Sequence, residues 1–320
     1  MSATFSSFTV VGIREDLSDV IYDISPQDTP IMSSIGKTKA TNVFHEWQTD
    51  SLAAATTANA LVEGADATDA SVTPTTRIGN YTQIVGKTIR VSGTLEAVDK
   101  AGRKSEKAYN MAKAAAEMKR DIETIITANQ GQSAGNATTA RTLGSLLSYI
   151  KTNSSVNGTS VTGVDPTTIG VSTRTDGTTR TFTETLLKDV IQKVFVSGGT
   201  PTLAVMRPAL KQKVSGFQGN SAYRVNTDNS VGNVTVVAGA DLYQSDFGIL
   251  SLIPDRFLRS DDREVLILDP EYAALAYLRP FQTKDLAVNG DSERSQLLAE
   301  LTLEVRNEAA HGIVADLNTN

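Results

Sequence analysis

Residues Gly131–Gly135 have the spacing of a serine nucleophile. They read G-x-S-x-G around Ser133, the pattern that holds a catalytic serine on a strained turn between a strand and a helix. In this sequence a helical pattern precedes the segment, and a stretch rich in Thr and Asn follows it. Because the turn needs a strand before it and a helix after it, we interpret Ser133 as part of a loop that terminates a helix.

His45 and His311 are the only histidines in the sequence. Neither takes part in an H-x-H or H-x-x-x-H spacing, so a metal site would require the fold to bring distant carboxylates together. We expect His45 to occupy a strand face and His311 a loop beside Gly312. The sequence therefore predicts no histidine-based metal site.

A group of acids is flanked by two arginines: Arg259, Asp261, Asp262, Arg263 and Glu264. Alternating charges of this kind are typical of a solvated turn. No G-x-x-x-x-G-K-[ST] loop occurs, and no G-x-G-x-x-G follows a predicted strand. The absence of cysteine excludes a disulfide framework and a thiolate site. We expect no catalytic, cofactor-binding or metal-binding residue, no cofactor, and a protein that is not an enzyme.

The composition is that of a globular protein that depends on contacts beyond its own core. Hydrophobic residues make up 40% of the chain, but aromatic residues only 6%. The formal net charge of −6 repels phosphate backbones, so sequence-specific DNA binding is not expected. The basic stretch from Lys100 to Arg120 is interrupted by Glu106 and Glu117 and fits a solvated helix face. No segment approaches the roughly 18 uninterrupted apolar residues of a membrane span.

The N-terminal third predicts an arm followed by a ribbon. Residues 1–41 have the pattern of an extended arm, because short apolar groups are separated by Ser, Thr, Asp and Pro. Val43–Gln48 and Tyr81–Val91 have strand character, whereas Leu52–Ile78 contains almost no large apolar residue. We predict one two-stranded excursion over residues 42–97 with a soft tip. An isolated ribbon is marginal in water, so this excursion needs a partner surface.

Residues 103–130 contain the strongest helical pattern. Its apolar positions alternate at spacings of three and four: Ala108, Met111, Ala115, Met118, Ile122 and Ile125. We predict a single long amphipathic spine that lies against a sheet, and Gly131 is available to terminate it.

The C-terminal half predicts shorter elements, which makes the chain α+β. Thr181–Glu184 has a capping-box pattern, and the helix that it opens should end at Gly198. Asp269 and Pro270 have the pattern of a cap and a first turn, which predicts a helix through Leu278. Strands are expected at Thr202–Met206, Val234–Ala238, Phe247–Ile253, Val265–Leu268 and Leu301–Val305, with a short helix from Pro208 to Gly216 and with Ile313–Leu317 beside the last strand.

Five local sequences strengthen a family resemblance: residues 144–153 (GSLLSYIKTN), Gly198–Pro201, Asp246–Gly248, Leu268–Tyr272 and Leu303–Gly312. Their order, together with the order of the predicted elements, resembles the major capsid proteins of tailed bacteriophages with the Hong Kong 97-like fold. The resemblance covers nearly the whole chain. It implies an L-shaped subunit with an arm (1–41), an extended loop (42–97), a peripheral domain (98–180) with a spine helix (103–130), an axial domain (181–291) and closing strands of the peripheral domain (292–320).

The resemblance also implies a function and partners. The subunit would self-assemble into hexamers and pentamers that form an icosahedral head shell around phage DNA, with contacts between capsomers through the arm and the extended loop. Scaffolding, portal and decoration proteins are further possible partners, double-stranded DNA is packaged without sequence-specific binding, and no membrane is involved. The protein would reside in the virion after assembly in the bacterial host cytoplasm. Because Leu52–Gly79 contains no Lys, the covalent cross-links of the type member are not expected.

Three alternatives stay open at the level of sequence. An encapsulin-like compartment shares the fold but encloses an enzyme cargo in place of DNA. Another virion structural protein, such as a tail tube subunit, is not expected to contain the long helix. An α+β hydrolase would depend on Ser133.

Overall fold

The computed structural model describes residues 25–64, 66, 69–70, 72–100, 102–158, 163–217, 225–226, 235–236, 240–259, 262–288 and 290–318. The helices are α1 Pro30–Ser34, α2 Gly93–Ala97, α3 Glu106–Thr127, α4 Leu146–Tyr149, α5 Glu184–Val196 and α6 Pro208–Ser215. The strands are β1 Gly36–Lys39, β2 Phe44–Thr49, β3 Thr76–Tyr81, β4 Gln83–Ser92, β5 Ser154–Ser155, β6 Arg180–Thr181, β7 Leu203–Met206, β8 Val225–Asn226, β9 Thr235–Val236, β10 Leu242–Ser245, β11 Gly248–Pro254, β12 Val265–Leu268, β13 Ala273–Asp285, β14 Ser292–Val305, β15 Gly312–Val314 and β16 Leu317–Asn318.

Two larger sheets organise the described residues. One has four strands in the order β1-β13-β14-β4, and the other has six in the order β10-β11-β7-β12-β15-β5. Three further pairs, β2-β3, β6-β16 and β8-β9, complete the strand pairing. The α+β class predicted from the sequence is confirmed.

The long helix α3 is the spine that the sequence predicts, although it begins and ends about a turn inside residues 103–130. The Ser105 hydroxyl caps its start by accepting a hydrogen bond from the Ala108 N–H. Met118, Ile122 and Ile126 are fully buried on the face that packs against β4 and β14. Lys87 on β4 joins the helix to the sheet through ion pairs with Glu117 at 2.9 Å and Asp121 at 3.0 Å.

The six-stranded sheet separates two hydrophobic cores, which explains its continuous apolar runs. Alternate residues of β7 and β12 point into different cores because successive side chains of a strand face opposite sides. Four of them face the core of α3, α4 and the four-stranded sheet: Leu203, Val205, Leu266 and Leu268. Their neighbours face the core of α5 and α6: Ala204, Met206, Val265 and Ile267. The strands expected at 202–206 and 265–268 are confirmed, and β11 confirms most of the strand expected at 247–253.

The described part of the arm does not stay extended. Residues 30–34 form α1, and β1 then pairs in parallel with β13. Ile31 and Met32 are buried in the core beneath α3, so this segment adds to the main core. Residues 1–24 of the predicted arm lie outside the described residues.

The helix predicted from Asp269 to Leu278 is wrong. Asp269 and Pro270 do form a cap and a first turn, because the Asp269 carboxylate accepts a hydrogen bond from the Glu271 N–H at 3.1 Å. A single 3-10 turn, Pro270–Tyr272, satisfies these signals, and β13 starts at Ala273. Its first four residues are buried on both faces, so the alternation that would have revealed a strand is missing.

Two further expectations about pairing and capping are corrected. Thr181 lies in β6 and pairs with β16, and α5 begins at Glu184 with no side-chain cap, so the capping box does not form. The end of α5 is confirmed, since Gly198 adopts a φ of 92° directly after it. Ile313 and Val314 pair with β12 and β5 rather than beside β14, because the four-stranded sheet already covers both edges of β14 with β13 and β4.

Candidate functional site

A hairpin of β2 and β3 carries the long connection of residues 50–75. Phe44 pairs with Tyr81 and Thr49 with Thr76, so six residues of each strand are in register. The predicted excursion is confirmed over residues 44–81. It is wrong beyond Thr82, where the chain leaves the hairpin and β4 pairs with β14 instead. The hairpin is therefore a separate ribbon whose base meets the four-stranded sheet.

Asn80 fixes the base of the hairpin from a fully buried position. Its amide donates hydrogen bonds to the carbonyl oxygens of Leu303 at 2.8 Å and Gly144 at 3.0 Å, and its side-chain oxygen accepts from the Gly144 N–H at 2.7 Å. The Tyr149 hydroxyl donates to the Gly79 carbonyl at 3.0 Å. A side chain at Gly79 would meet Phe44 and Glu46 at 2.8 Å, so only glycine allows this close approach.

Glu300 of β14 is the ionic centre of the same region and is 4% exposed. Its carboxylate accepts hydrogen bonds from the Thr82 hydroxyl at 2.9 Å, Arg141 at 2.7 Å and Arg279 at 2.7 Å. The Thr302 hydroxyl, on the same face of β14, donates to the Tyr81 carbonyl at 2.9 Å. Charge-assisted bonds of this kind join three chain segments at one carboxylate.

Glu304, two residues after Thr302, lies on the same polar face of β14. Its carboxylate lies 3.3 Å from the His45 Nε2 and accepts from the Thr38 hydroxyl at 2.8 Å and from Arg306 at 3.1 Å. Burial acts to raise the pKa of Glu304, but the hydrogen bonds from Thr38, Arg306 and His45 outweigh it and hold the pKa below its ordinary value. The strand position expected for His45 is confirmed, and its side chain contacts a carboxylate of the hairpin base.

The connection between β2 and β3 exposes apolar and acidic side chains. Its large apolar residues are almost wholly accessible, with exposed fractions from 79% to 98%: Leu52, Leu61, Val62 and Val72. It also carries four acids and no lysine: Asp50, Glu63, Asp66 and Asp69. A segment whose large apolar side chains are almost wholly exposed is a candidate for contact with another surface. We call residues 50–75 the hairpin tip.

The residues that the sequence singled out for chemistry do not meet. Ser133 forms an isolated bridge with Thr142, and its hydroxyl accepts from the Gly135 N–H at 3.3 Å. His311 is completely buried, and its Nδ1 accepts from the Asp269 N–H at 3.3 Å. Burial lowers the pKa of His311 to about 4, which keeps the imidazole neutral. Ser133 therefore has neither histidine as a partner, and its loop assignment is confirmed.

The acidic group is only partly the solvated turn that the sequence predicts. Asp261 lies outside the described residues, and Asp262 pairs with Arg207 at 2.9 Å. Glu264 is buried and pairs with Arg259 at 3.1 Å. The expectation of a solvated turn is wrong for Glu264, because the buried strand β12 begins directly after it. Within the described ranges no three His, Cys, Asp or Glu side chains lie close enough to hold a metal ion.

No sequence pattern indicated that Asn80, Glu300 and Glu304 hold the base of the hairpin. Glu304 lies between the apolar residues Leu303 and Val305. This alternation of apolar and polar residues indicates that the Glu304 side chain faces outward. The hairpin base nevertheless packs on this outward face of β14. The alternation cannot reveal such packing, because the residues that cover the face are distant in the sequence. No described helix is long and apolar enough to cross a membrane.

Comparison with known proteins finds one family that matches nearly the whole chain. The family model for the SU10 major capsid protein matches residues 2–318. The major capsid protein of Escherichia phage Phieco32 is 38% identical over 128 residues, which is 40% of this chain and 36% of that protein. The alignment thus spans about a third of the length of that curated relative.

Solved phage structures show the same fold at low identity. A chain of the Cyanophage A-1(L) capsid asymmetric unit matches with a TM-score of 0.68 and 11% identity, covering 95% of this chain and 97% of that one. A chain from Mycobacterium phage Cain matches with a TM-score of 0.64 and 12% identity, covering 99% and 100%.

The spine helix, the hairpin and the two-core body therefore have the Hong Kong 97-like fold of these phage capsid chains. Within that class, the chain belongs to the family of SU10 major capsid proteins. It is a structural protein of the phage head and not an enzyme. The encapsulin, tail and hydrolase alternatives are not favoured.

Proposed function

We propose that rings of six and five copies build the closed head shell and that the hairpin tip of each copy lies against a neighbouring copy. One observation carries this proposal, which is the contrast between the two ends of the hairpin. Its base is held by Asn80, Glu300 and Glu304, whereas its tip exposes Leu52, Leu61, Val62 and Val72. The described part of the subunit leaves these side chains of the tip uncovered, and burial against a neighbour removes about 25 cal/mol of unfavourable hydration per Å².

Cohesion between copies would be noncovalent at this surface. Residues 52–79 contain no lysine, so an amide cross-link from a lysine of the tip has no donor. The acids of the tip favour a partner surface that carries positive charge. Contacts through the arm would add to those of the hairpin.

The two hydrophobic cores support a proposed division of the chain into domains. We propose a peripheral domain of residues 98–180 and 292–320 around the spine helix, an axial domain of residues 181–291 and an arm of residues 1–41. The extended loop is proposed within residues 42–97, and its projecting part is the hairpin of residues 44–81. The axial domain would face the centre of each ring. Its support is the separate core of α5, α6 and the six-stranded sheet, which includes Leu187, Val190 and Leu210.

The remaining partners are proposed from the resemblance and the charge. Double-stranded DNA would be enclosed without sequence-specific contacts, which agrees with a net charge of −6. Scaffolding, portal and decoration proteins would act during and after assembly in the bacterial host cytoplasm. None of these roles requires a catalytic residue, a cofactor or a metal ion.

A loop replacement tests the role of the hairpin tip. Residues 50–75 are replaced by a short Gly-containing turn, which leaves the paired residues Thr49 and Thr76 in place. We expect nearly unchanged far-UV circular dichroism, because closing a shorter loop changes the entropy only slightly. Electron microscopy should show no closed shells, or assembly that stops at capsomers.

A matched pair of surface variants separates the tip from exposed apolar residues in general. The test variant replaces Leu52, Leu61, Val62 and Val72 by serine. The control variant replaces Val171 and Val288, which are 51% and 70% exposed elsewhere on the molecule. The tip variant should fail to close shells while the control assembles. Normal shells from the tip variant would overturn the proposed contact.

A further inference from the structure

The carboxyl groups of Glu123 and Asp255 meet in the interior of the subunit. Glu123 lies in the last third of α3, and Asp255 directly follows β11. Their exposed fractions are 0% and 1%, and the two side chains are close enough to hydrogen-bond when one of them is protonated. Two buried carboxylates in contact repel each other strongly, so such a pair retains a proton.

Glu123 also holds the arm. Its Oε1 accepts a hydrogen bond from the Ile31 N–H at 2.7 Å, and its Oε2 accepts from the Met32 N–H at 2.9 Å. Thr29, at the cap position of α1, makes no side-chain cap bond, and Pro30 has no N–H. The side chain of the spine helix therefore takes the place of the missing cap and fixes the first turn of α1.

One carboxylate oxygen of Asp255 lacks a hydrogen-bond donor. Its Oδ1 accepts from the Phe257 N–H at 2.8 Å. Its Oδ2 is buried and has no hydrogen-bond partner among the described groups. A buried carboxylate oxygen without a donor is costly, and a proton on Glu123 supplies that donor.

Nearby cations compensate only part of this charge. Arg207 lowers the pKa of Asp255, but it also pairs with Asp262 at 2.9 Å. Arg120, one turn before Glu123 on α3, donates to the Pro26 carbonyl at 3.4 Å, and α1 itself has no charged side chain. Burial raises the pKa of Glu123 to about 7 and also raises that of Asp255.

We propose that the Glu123–Asp255 pair is a proton-controlled latch that holds residues 30–40 against the spine helix. When Glu123 loses its proton, the pair carries two negative charges in a site closed to water. The smallest movement that exposes Glu123 is the release of α1, which has five residues, and of β1, which has four and, among the described strands, pairs only with β13. A rise of pH toward neutrality would therefore favour release of this segment while the rest of the fold persists.

The sign of the pH dependence follows from linkage. Glu123 has a pKa of about 7 when the arm is docked and an ordinary value of 4.5 when exposed to water. The docked state thus binds more protons, and its advantage is lost as pH rises through this interval. The opening equilibrium should rise by up to about tenfold per pH unit between these values and level off above neutrality.

Hydrogen exchange on assembled, full-length protein measures this opening. Peptides covering residues 30–40 are followed from about pH 5 to about pH 8.5, with exchange corrected for its intrinsic pH dependence. Peptides covering β7 should keep their protection throughout. Protection of residues 30–40 that does not change with pH would overturn the latch.

Two variants test the identity of the titrating group. Glu123→Gln removes the titrating group: its amide oxygen can accept one of the two arm hydrogen bonds, and its NH₂ group can donate to Asp255. The opening of the arm in this variant should not change with pH, whereas Glu117→Gln, on the same helix, should retain the wild-type dependence. An E123Q variant that opens like wild type would contradict the proposal.

Infrared spectroscopy of the wild type gives the same test if E123Q does not assemble. The carbonyl band of a buried protonated carboxyl group should be present at acidic pH and disappear as pH rises through about 7. Absence of that band at acidic pH would overturn the latch.

Discussion

The Thr82 hydroxyl donates a hydrogen bond of 2.9 Å to the carboxylate of Glu300, across 218 residues of sequence. Thr82 is the single residue between β3 and β4, so this bond ties the point where the hairpin leaves the sheet to the middle of β14. The same carboxylate accepts from Arg141 and Arg279. The direction of the hairpin is therefore set by a buried ion and not by the strands of the hairpin alone.

Removal of this ion should destabilise the subunit. Glu300→Ala leaves the Thr82 hydroxyl and two partly exposed guanidinium groups without their acceptor, and the loss of such hydrogen bonds costs about 1–3 kcal/mol. Glu293→Ala is the matched control, because Glu293 lies on the same strand and makes a half-exposed ion pair with Lys107 at 3.1 Å. Its loss should cost less than about 1 kcal/mol. Chemical denaturation that gives equal losses for both variants would contradict the role of Glu300.

The buried stripe of the spine helix gives a second prediction. Ile122 is fully buried, and Ile122→Asp places an unpaired carboxylate in the main core. The cost is several kcal/mol, against a typical total stability of about 5–15 kcal/mol. We expect insoluble or unassembled protein, whereas Thr124→Asp, at an exposed position of the same helix, should assemble normally. The soluble yield and particle formation of the two variants are compared.

The pKa of His311 predicts that the free energy of unfolding falls as the pH is lowered, which is opposite in sign to the effect of Glu123. Burial lowers its pKa to about 4 from an ordinary value of 6.5, so the unfolded chain binds the proton more tightly. Stability is lost as pH falls through this interval, by about 3 kcal/mol in total. Because Glu123 titrates in an overlapping range, the comparison is made in the E123Q background.

The readout is the change of unfolding free energy between neutral pH and about pH 4.5. E123Q protein should lose stability on acidification, and the double variant with His311→Gln should lose distinctly less. Equal losses would show that His311 does not cause the effect.

Local sequence patterns correctly predicted the elements that are marked by an apolar stripe or a terminating glycine. The spine helix has a long apolar stripe, and α5 ends where Gly198 supplies a positive φ. The same patterns failed at Ala273, because a cap followed by small apolar residues fits a helix and a fully buried strand equally well. Only the register with Val305 on β14 decides between them.

The polar contacts of the hairpin base and of Glu123 could not be predicted for a different reason. Glu123 occupies a polar position of an amphipathic helix, which normally faces water. It is buried because Ile31, 92 residues earlier in the sequence, lies over it and donates a backbone hydrogen bond to its carboxylate. Contacts between residues so far apart leave no periodic trace in a single sequence, and the same is true of Asn80 with Leu303.

Electron cryo-microscopy of the assembled wild-type protein tests the central claim most directly. We predict closed shells built from rings of six and five copies, in which residues 50–75 of each copy lie on the surface of a neighbouring copy and Leu52, Leu61 and Val62 are covered. Shells in which these residues fold back on their own subunit or remain exposed to solvent would contradict the account. Particles that are open tubes would contradict it as well.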